Sequence, residues 1–393
     1  MLNTTIATKK WPFFTSDEID AAQVVLASGK VNYWTGNEGK SFEHEFATYV
    51  GTKHAVAVSN GTVAIELALE ALNIAPGDEV IIPSCTFIAT ASAVVMRGAI
   101  PIIADIEPYS LTLSKRTIEA VYSQKTKAII CVHLAGNPCE MADIMAFATE
   151  HGCVVIEDCA QAHGARYNGQ VVGSIGHVGA FSFCQDKIMT TGGEGGMIVT
   201  NDESTWKRAW EFKDHGKSYD AVFNKEHPPG FRWLHESFGT NFRMTEMQSA
   251  IGRVQLSKLD DWLQHRKQNA LAIWQAAQQV PCLIVPKMPD THDSAYYKCY
   301  VFVDTDKLAD GWTRDRIMSE INALGTPCFS GSCTEIYNEK CFEQFPNIYQ
   351  QSLPNAKSLG QRALMFLIDP SVDESQIEQT VSAIQTVGNR ASQ

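Results

Sequence analysis

Apolar residues along this chain change their period several times, and each change marks an element. Between about Thr15 and Thr200, short uninterrupted apolar runs alternate with stretches that repeat every three to four residues. The runs His54–Val58, Glu79–Ile82, Ile100–Ile103, Ala128–Cys131 and Cys153–Ile156 are too short for buried helices and predict strands apolar on both faces. Between them Val63–Leu72, Phe87–Met96, Lys115–Ser123 and Glu140–His151 read as helices, and Ala75-Pro76-Gly77-Asp78 as a turn. Ser16-Asp17-Glu18-Ile19 reads as a capped helix start, with its acids at the positive end of the dipole. Such alternation predicts a large α/β domain with a mainly parallel sheet covered on two sides.

The pattern then shifts. From Met244 to about Gln268, Met247, Ile251, Val254, Leu256, Leu259 and Trp262 recur at helical spacing, a stripe that core packing explains. After the Pro281–Pro289 stretch, Tyr297–Val303 alternates like an antiparallel strand, and Arg314–Leu324 and Glu374–Val387 read as amphipathic helices. The expected organisation is a large α/β domain over residues 1–250, with an N-terminal helical segment, and a smaller α+β domain over 251–393, the long helix serving as hinge.

Composition narrows the function classes. The chain has 393 residues, 45% apolar and 19% charged, which excludes disorder as the dominant state. A net charge of −12 disfavours a nucleic-acid partner. No apolar run approaches the ~20 residues of a membrane span, and Met1-Leu2-Asn3-Thr4-Thr5 does not open a secretory signal. Eleven cysteines are scattered singly from Cys85 to Cys341 without a paired CxxC set, which suits a reducing, cytoplasmic setting with no metal site.

Candidate chemistry gathers at two strand ends. Asp158 follows the apolar run Cys153–Ile156 and Glu157, where acids at the carboxyl edge of a parallel sheet face ligands; taken alone it could equally be a cap. Lys187 lies in Phe181-Ser182-Phe183-Cys184-Gln185-Asp186-Lys187, just before the glycine-rich turn Gly192-Gly193-Glu194-Gly195-Gly196. A lone lysine is usually a solvated one, and the set gives this one weight. A pyridoxal phosphate enzyme needs a lysine for the Schiff base and an acid for the pyridinium nitrogen, plus a phosphate cradle that Asn60-Gly61-Thr62 could supply at a helix N-terminus. The glycine run leads into the apolar strand Met197–Thr200 rather than a helix, so it is no dinucleotide fingerprint.

With these residues in view, the chain resembles the DegT/DnrJ/EryC1/StrS aminotransferases, nucleotide-sugar aminotransferases of pyridoxal phosphate fold type I. Besides Lys187, Asp158 and the glycine turn, the likeness includes Ser59-Asn60-Gly61-Thr62, Pro76–Val80, Pro83–Thr90, Glu157–Gly164 and Gly239–Met244. It implies that Lys187 carries the cofactor and moves the proton, Asp158 pairs with the ring nitrogen, Gln161 lies by the ring hydroxyl and Phe87 stacks on the ring. Gly61, Thr62 and Ser182 would hold the phosphate, with Asn241 arriving from a second subunit, which makes the expected partner a homodimer with shared sites. The implied substrates are L-glutamate and a nucleotide-linked keto-deoxysugar, a 4-keto-6-deoxyhexose before a 3-keto sugar, in surface polysaccharide or lipopolysaccharide synthesis. Cys184 stands where many relatives have His, and Asn137 is at a variable position. Retention of Lys187 argues against the dehydratase branch, and the intact Lys187, Asp158 and Gln161 set argues against a cofactor-binding regulator without turnover. The stretch Lys213–Phe231, with Asp214, His215 and Lys217, is a further candidate for sugar contact.

Overall fold

Five strands predicted from apolar runs belong to one sheet: β1 (His54–Val58), β2 (Glu79–Pro83), β3 (Ile100–Ala104), β4 (Thr126–Val132) and β5 (Val154–Asp158). Strands Val178–Ser182 and Gly196–Thr200 complete a seven-stranded sheet. Its order is β1, Gly196–Thr200, Val178–Ser182, β5, β4, β2, β3. Only Gly196–Thr200 runs antiparallel to its neighbours; the pairs from β3 across to Val178–Ser182 are all parallel. The computed structural model describes residues 10–345 and 353–393, and Met1–Thr5 lies outside them.

Alternate residues of each strand enter different cores, because side chains of a strand point to opposite faces. Val56, Val80, Ile82, Ile130, Ile156 and Ile198 pack on one side of the sheet. Ala55, Ile81, Ile129, Val155, Phe181 and Met197 pack on the other. Helices α1 (Ser16–Ser28), α2 (Glu38–Val50), α3 (Gly61–Ala71) and α4 (Ala89–Met96) precede or join these strands. Phe42 and Phe46 of α2 belong to the second core, while Ala64, Ile65, Leu67 and Val94 of α3 and α4 belong to the first. Both faces are therefore covered. The fold is α/β with a mainly parallel central sheet.

The long helix spans Glu246–Ala277, beginning at a Thr245/Gln248 capping box and running past the predicted end. The expected division at residues 250/251 falls inside it. Arg253 pairs with Glu38 and Glu45 of α2, and Lys258 with Asp17 of α1, whereas His265 and Asn269 bond the carbonyl of Val372 beside the last helix. That last helix, Glu374–Ala391, packs with Ile273, Trp274, Val301, Ile317 and Phe366 in a third core. Over this core lies a four-stranded antiparallel sheet of Leu283–Ile284, Cys299–Val303, Ala363–Phe366 and Cys328–Phe329. Helices α2, Glu203–Lys213 and Pro354–Arg362 were not read from the pattern. All eleven cysteines are unpaired, and among the described residues no helix is long and apolar enough to cross a membrane.

Candidate active site

A cavity of about 900 Å³ opens at the carboxyl ends of β5 and Val178–Ser182, the place a parallel sheet reserves for ligands. Gly61, Thr62, Phe87, Asp158, Gln161, Ser182 and Lys187 all line it.

Asp158 ends β5 and is nearly buried, at 5% exposure. Its Oδ1 accepts the Ala160 N–H at 3.1 Å and its Oδ2 the Thr90 hydroxyl at 3.1 Å. Burial raises its pKa above the usual carboxylate value, against these hydrogen bonds and the nearby Lys187. Its neighbour Glu157 points to the other face of the strand and is fully spent there. Its oxygens accept N–H groups of Gly173, Ile175 and Gly176 at 2.6–2.8 Å, and His133 Nε2 lies at 3.0 Å. Because His133 Nδ1 accepts the Cys139 N–H, Nε2 carries the proton that Glu157 receives. The buried trio of His133, Glu157 and Cys159 is thus an internal brace behind the strand.

Lys187 sits on the turn after Val178–Ser182. Its Nζ lies 3.7 Å from Asp186 Oδ1 and 5.2 Å from the centre of the Tyr297 ring. Its carbonyl accepts the Trp11 indole N–H at 2.9 Å, which pins the backbone beneath the amine. The turn closes through Gly192 and Gly193, with φ of 86° and 119°, a left-handed backbone that glycine adopts without penalty.

The first turn of α3 faces the end of Val178–Ser182. Asn60 caps this helix, its side chain accepting the Val63 N–H at 3.0 Å, so Gly61 and Thr62 present first-turn N–H groups that no helical carbonyl can reach. A Cβ on Gly61 would stand 2.5 Å from Ser182 Cβ, and only glycine allows this approach. Gln161 Oε1 accepts the Ala135 N–H at 2.8 Å, which leaves its amide N–H groups as donors. Phe87, 69% exposed, offers a flat apolar ring at the mouth.

A buried acid, an amine, an anion cradle at a helix N-terminus and an open aromatic face are the donor set that pyridoxal 5′-phosphate requires, and the glycine cradle that a Cβ would fill fits its phosphate. Asn241 is exposed and outside this cavity, its Oδ1 accepting the Arg243 N–H at 3.3 Å. Cys184 lines the cavity, 3.8 Å from Glu194 Oε1. Asn137 instead lines a separate cavity of about 500 Å³ and is bonded by Ser294. Asp214, His215 and Lys217 do not line the cofactor cavity; Asp214 is buried and accepts Trp34 Nε1, Lys217 Nζ and Arg243 Nη1 at 2.9–3.0 Å. The pattern missed Thr90, Asp186, Glu194, Tyr297 and Lys298, all of which line the cavity. Asp186 was legible as the neighbour of Lys187. Tyr297, whose hydroxyl bonds Asp186 at 2.5 Å, lies 111 residues further on and carried no local signal.

The sequence model of the DegT/DnrJ/EryC1/StrS aminotransferase family matches residues 13–385. Among solved structures, an aminotransferase from Psychrobacter cryohalolentis superposes with a TM-score of 0.95 at 52% identity, covering 98% of this chain and 100% of that one. A GDP-perosamine synthase of Caulobacter vibrioides is 34% identical over 90% of this chain and 92% of its own. A dTDP-3-amino-3,4,6-trideoxy-alpha-D-glucose transaminase of Streptomyces venezuelae is 34% identical over 96% of this chain and 93% of its own.

Proposed function

This chain belongs to the DegT/DnrJ/EryC1/StrS aminotransferase family and is a pyridoxal phosphate-dependent aminotransferase, and we propose that it moves the amino group of L-glutamate to the keto group of a nucleotide-linked 4-keto-6-deoxy sugar. The observation that carries the reading is the shared cavity of Lys187, Asp158 and the Gly61–Ser182 cradle. The relative named GDP-perosamine synthase supports a nucleotide-sugar acceptor. The relative named for a 3-amino sugar favours a 3-keto acceptor as the second reading.

When bound, the cofactor supplies an aldehyde with which amines condense and a ring that takes up the electron pair left by a departing α-proton. The Asp158 carboxylate would pair with the ring nitrogen and keep it protonated, and that pairing would offset the cost of burying the acid. Gly61 and Thr62 N–H groups and the Ser182 hydroxyl would hold the phosphate. Gln161 would donate to the ring hydroxyl, and Phe87 would cover the ring. Lys187 Nζ would carry the cofactor at rest and, once freed by the glutamate amine, would act as the base that holds the proton leaving the glutamate α-carbon. The same amine would hold and return the proton when the sugar ketone is aminated. Asn241, exposed and outside its own chain's cavity, fits a homodimer in which each copy completes the other's phosphate site. Eleven unpaired thiols support a reducing cytoplasmic setting, and surface polysaccharide or lipopolysaccharide assembly is the proposed pathway.

Purified protein should absorb in the visible through its lysine–cofactor linkage, lose that band on adding glutamate, and aminate a panel of nucleotide-linked keto sugars, with the product identified by mass and NMR. Lys187→Ala should lack both the band and turnover. An unchanged band in that variant, or no sugar aminated from any amino donor, refutes the reading.

A further inference from the structure

Among the described residues lining the cavity, two side chains are cationic, Lys187 and Lys298. The proposed function, on which this inference rests, commits Lys187 to the cofactor. We propose that Lys298 binds the carboxylate of the amino-acid donor beside the nitrogen that is exchanged.

The placement supports this. Lys298 Nζ lies 4.8 Å and Lys187 Nζ 5.2 Å from the centre of the same Tyr297 ring, and both residues line the same cavity. Among the described residues no carboxylate lies within ion-pair distance of Lys298. The acid beside it in the cavity, Asp186, is engaged by the Tyr297 hydroxyl at 2.5 Å and by Lys187 at 3.7 Å. Arg266, 1% exposed, stands behind the ring, giving Nη1 to the Tyr297 carbonyl while its Nε and Nη2 find no partner. Burial is the main cause that lowers the Lys298 pKa; Arg266 and Lys187 add to it, while Asp186 and Asp369 oppose it. A half-desolvated ammonium without an anion is held at a cost that an incoming carboxylate removes. Besides Asp186, the carboxyl groups lining the cavity are those of Asp158, Glu194 and Glu339, which disfavour a further carboxylate beside them.

The test uses the cofactor-loaded protein with Lys298→Gln and Lys298→Arg. Both variants should keep the visible band of the wild type, which also reports a folded site. In Lys298→Gln the half-saturating glutamate concentration should rise about 10- to 100-fold, the range of one hydrogen bond to a charged group. Glutarate, a dicarboxylate that cannot react, should lose affinity by a similar factor in calorimetry. Lys298→Arg should recover most of both, and the KM of the sugar should not move. Unchanged glutamate and glutarate responses, or a loss confined to the nucleotide sugar, overturn the assignment while the proposed function stands. A wild type that turns over no amino acid refutes that function and this inference with it.

Discussion

Replacing Gly61 by alanine probes the anion cradle with a single carbon atom. The new Cβ would stand 2.5 Å from Ser182 Cβ, 2.8 Å from its Oγ and 3.1 Å from its Cα. Relaxed carbon contacts need about 3.5–4.0 Å, so the first turn of α3 and the end of the Val178–Ser182 strand must part by about 1 Å. Ser182 has little room to yield, because its backbone is paired with Gly196. Overpacking of this kind costs about 1–3 kcal/mol, and the helix preference of alanine returns at most about 1 kcal/mol. Overall stability should therefore fall only slightly. Phosphate binding should suffer more, because each hydrogen bond to a charged group is worth about 1.5–3 kcal/mol. Losing one weakens the cofactor about 10- to 100-fold. The assay titrates cofactor-free protein with pyridoxal phosphate and, in parallel, with pyridoxal, following the visible band. The loss should be confined to the phosphorylated form. Equal affinity of variant and wild type for pyridoxal phosphate, or the same loss for both forms, would refute the cradle.

Asp158→Asn should lower transamination by about 100-fold or more, since a preorganised charge at the ring nitrogen is removed. Its stability effect has a pH signature. The folded pKa of Asp158 is raised, so the stability from its neutral form is present below the unfolded value of about 3.9 and lost as pH rises through the folded one. Melting temperatures of the cofactor-free proteins should then converge at low pH, with the asparagine variant gaining on the wild type as pH rises; a pH-independent difference would contradict this. Phe42→Ala should cost about 3–5 kcal/mol in denaturant unfolding, because Phe42 is fully buried against Phe46 and Phe183. A cost below about 1 kcal/mol would mean that the long helix and α2 collapse into the gap.

Much of the sheet was legible because strands covered on both faces carry unbroken apolar runs, as in the Val80–Ile82 part of β2 and the Val154–Ile156 part of β5. Helix α2 went unread although Phe42, Phe46 and Val50 recur every four residues, because the span is short and its N-cap Asn37 makes no side-chain cap. The short strand Ala363–Phe366 gave too few residues to show a period. The two-domain division is harder to read in three dimensions than along the chain, because one unbroken helix packs on both parts.

The sequence by itself determined the parts that are local: strands ending at Asp158 and Ser182, the glycine turn after Lys187, and a cap with free N–H groups at Gly61. Each depends on neighbours a few residues away, and local spacing records them. What only the tertiary structure decided is which distant groups share the cavity. Thr90 reaches Asp158, Ala135 orients Gln161, and Tyr297 with Lys298 joins Lys187 in the cavity from the bend before Cys299–Val303. Those meetings are set by how strands and helices pack, and close packing couples residues far apart in sequence without leaving any periodicity at either of them.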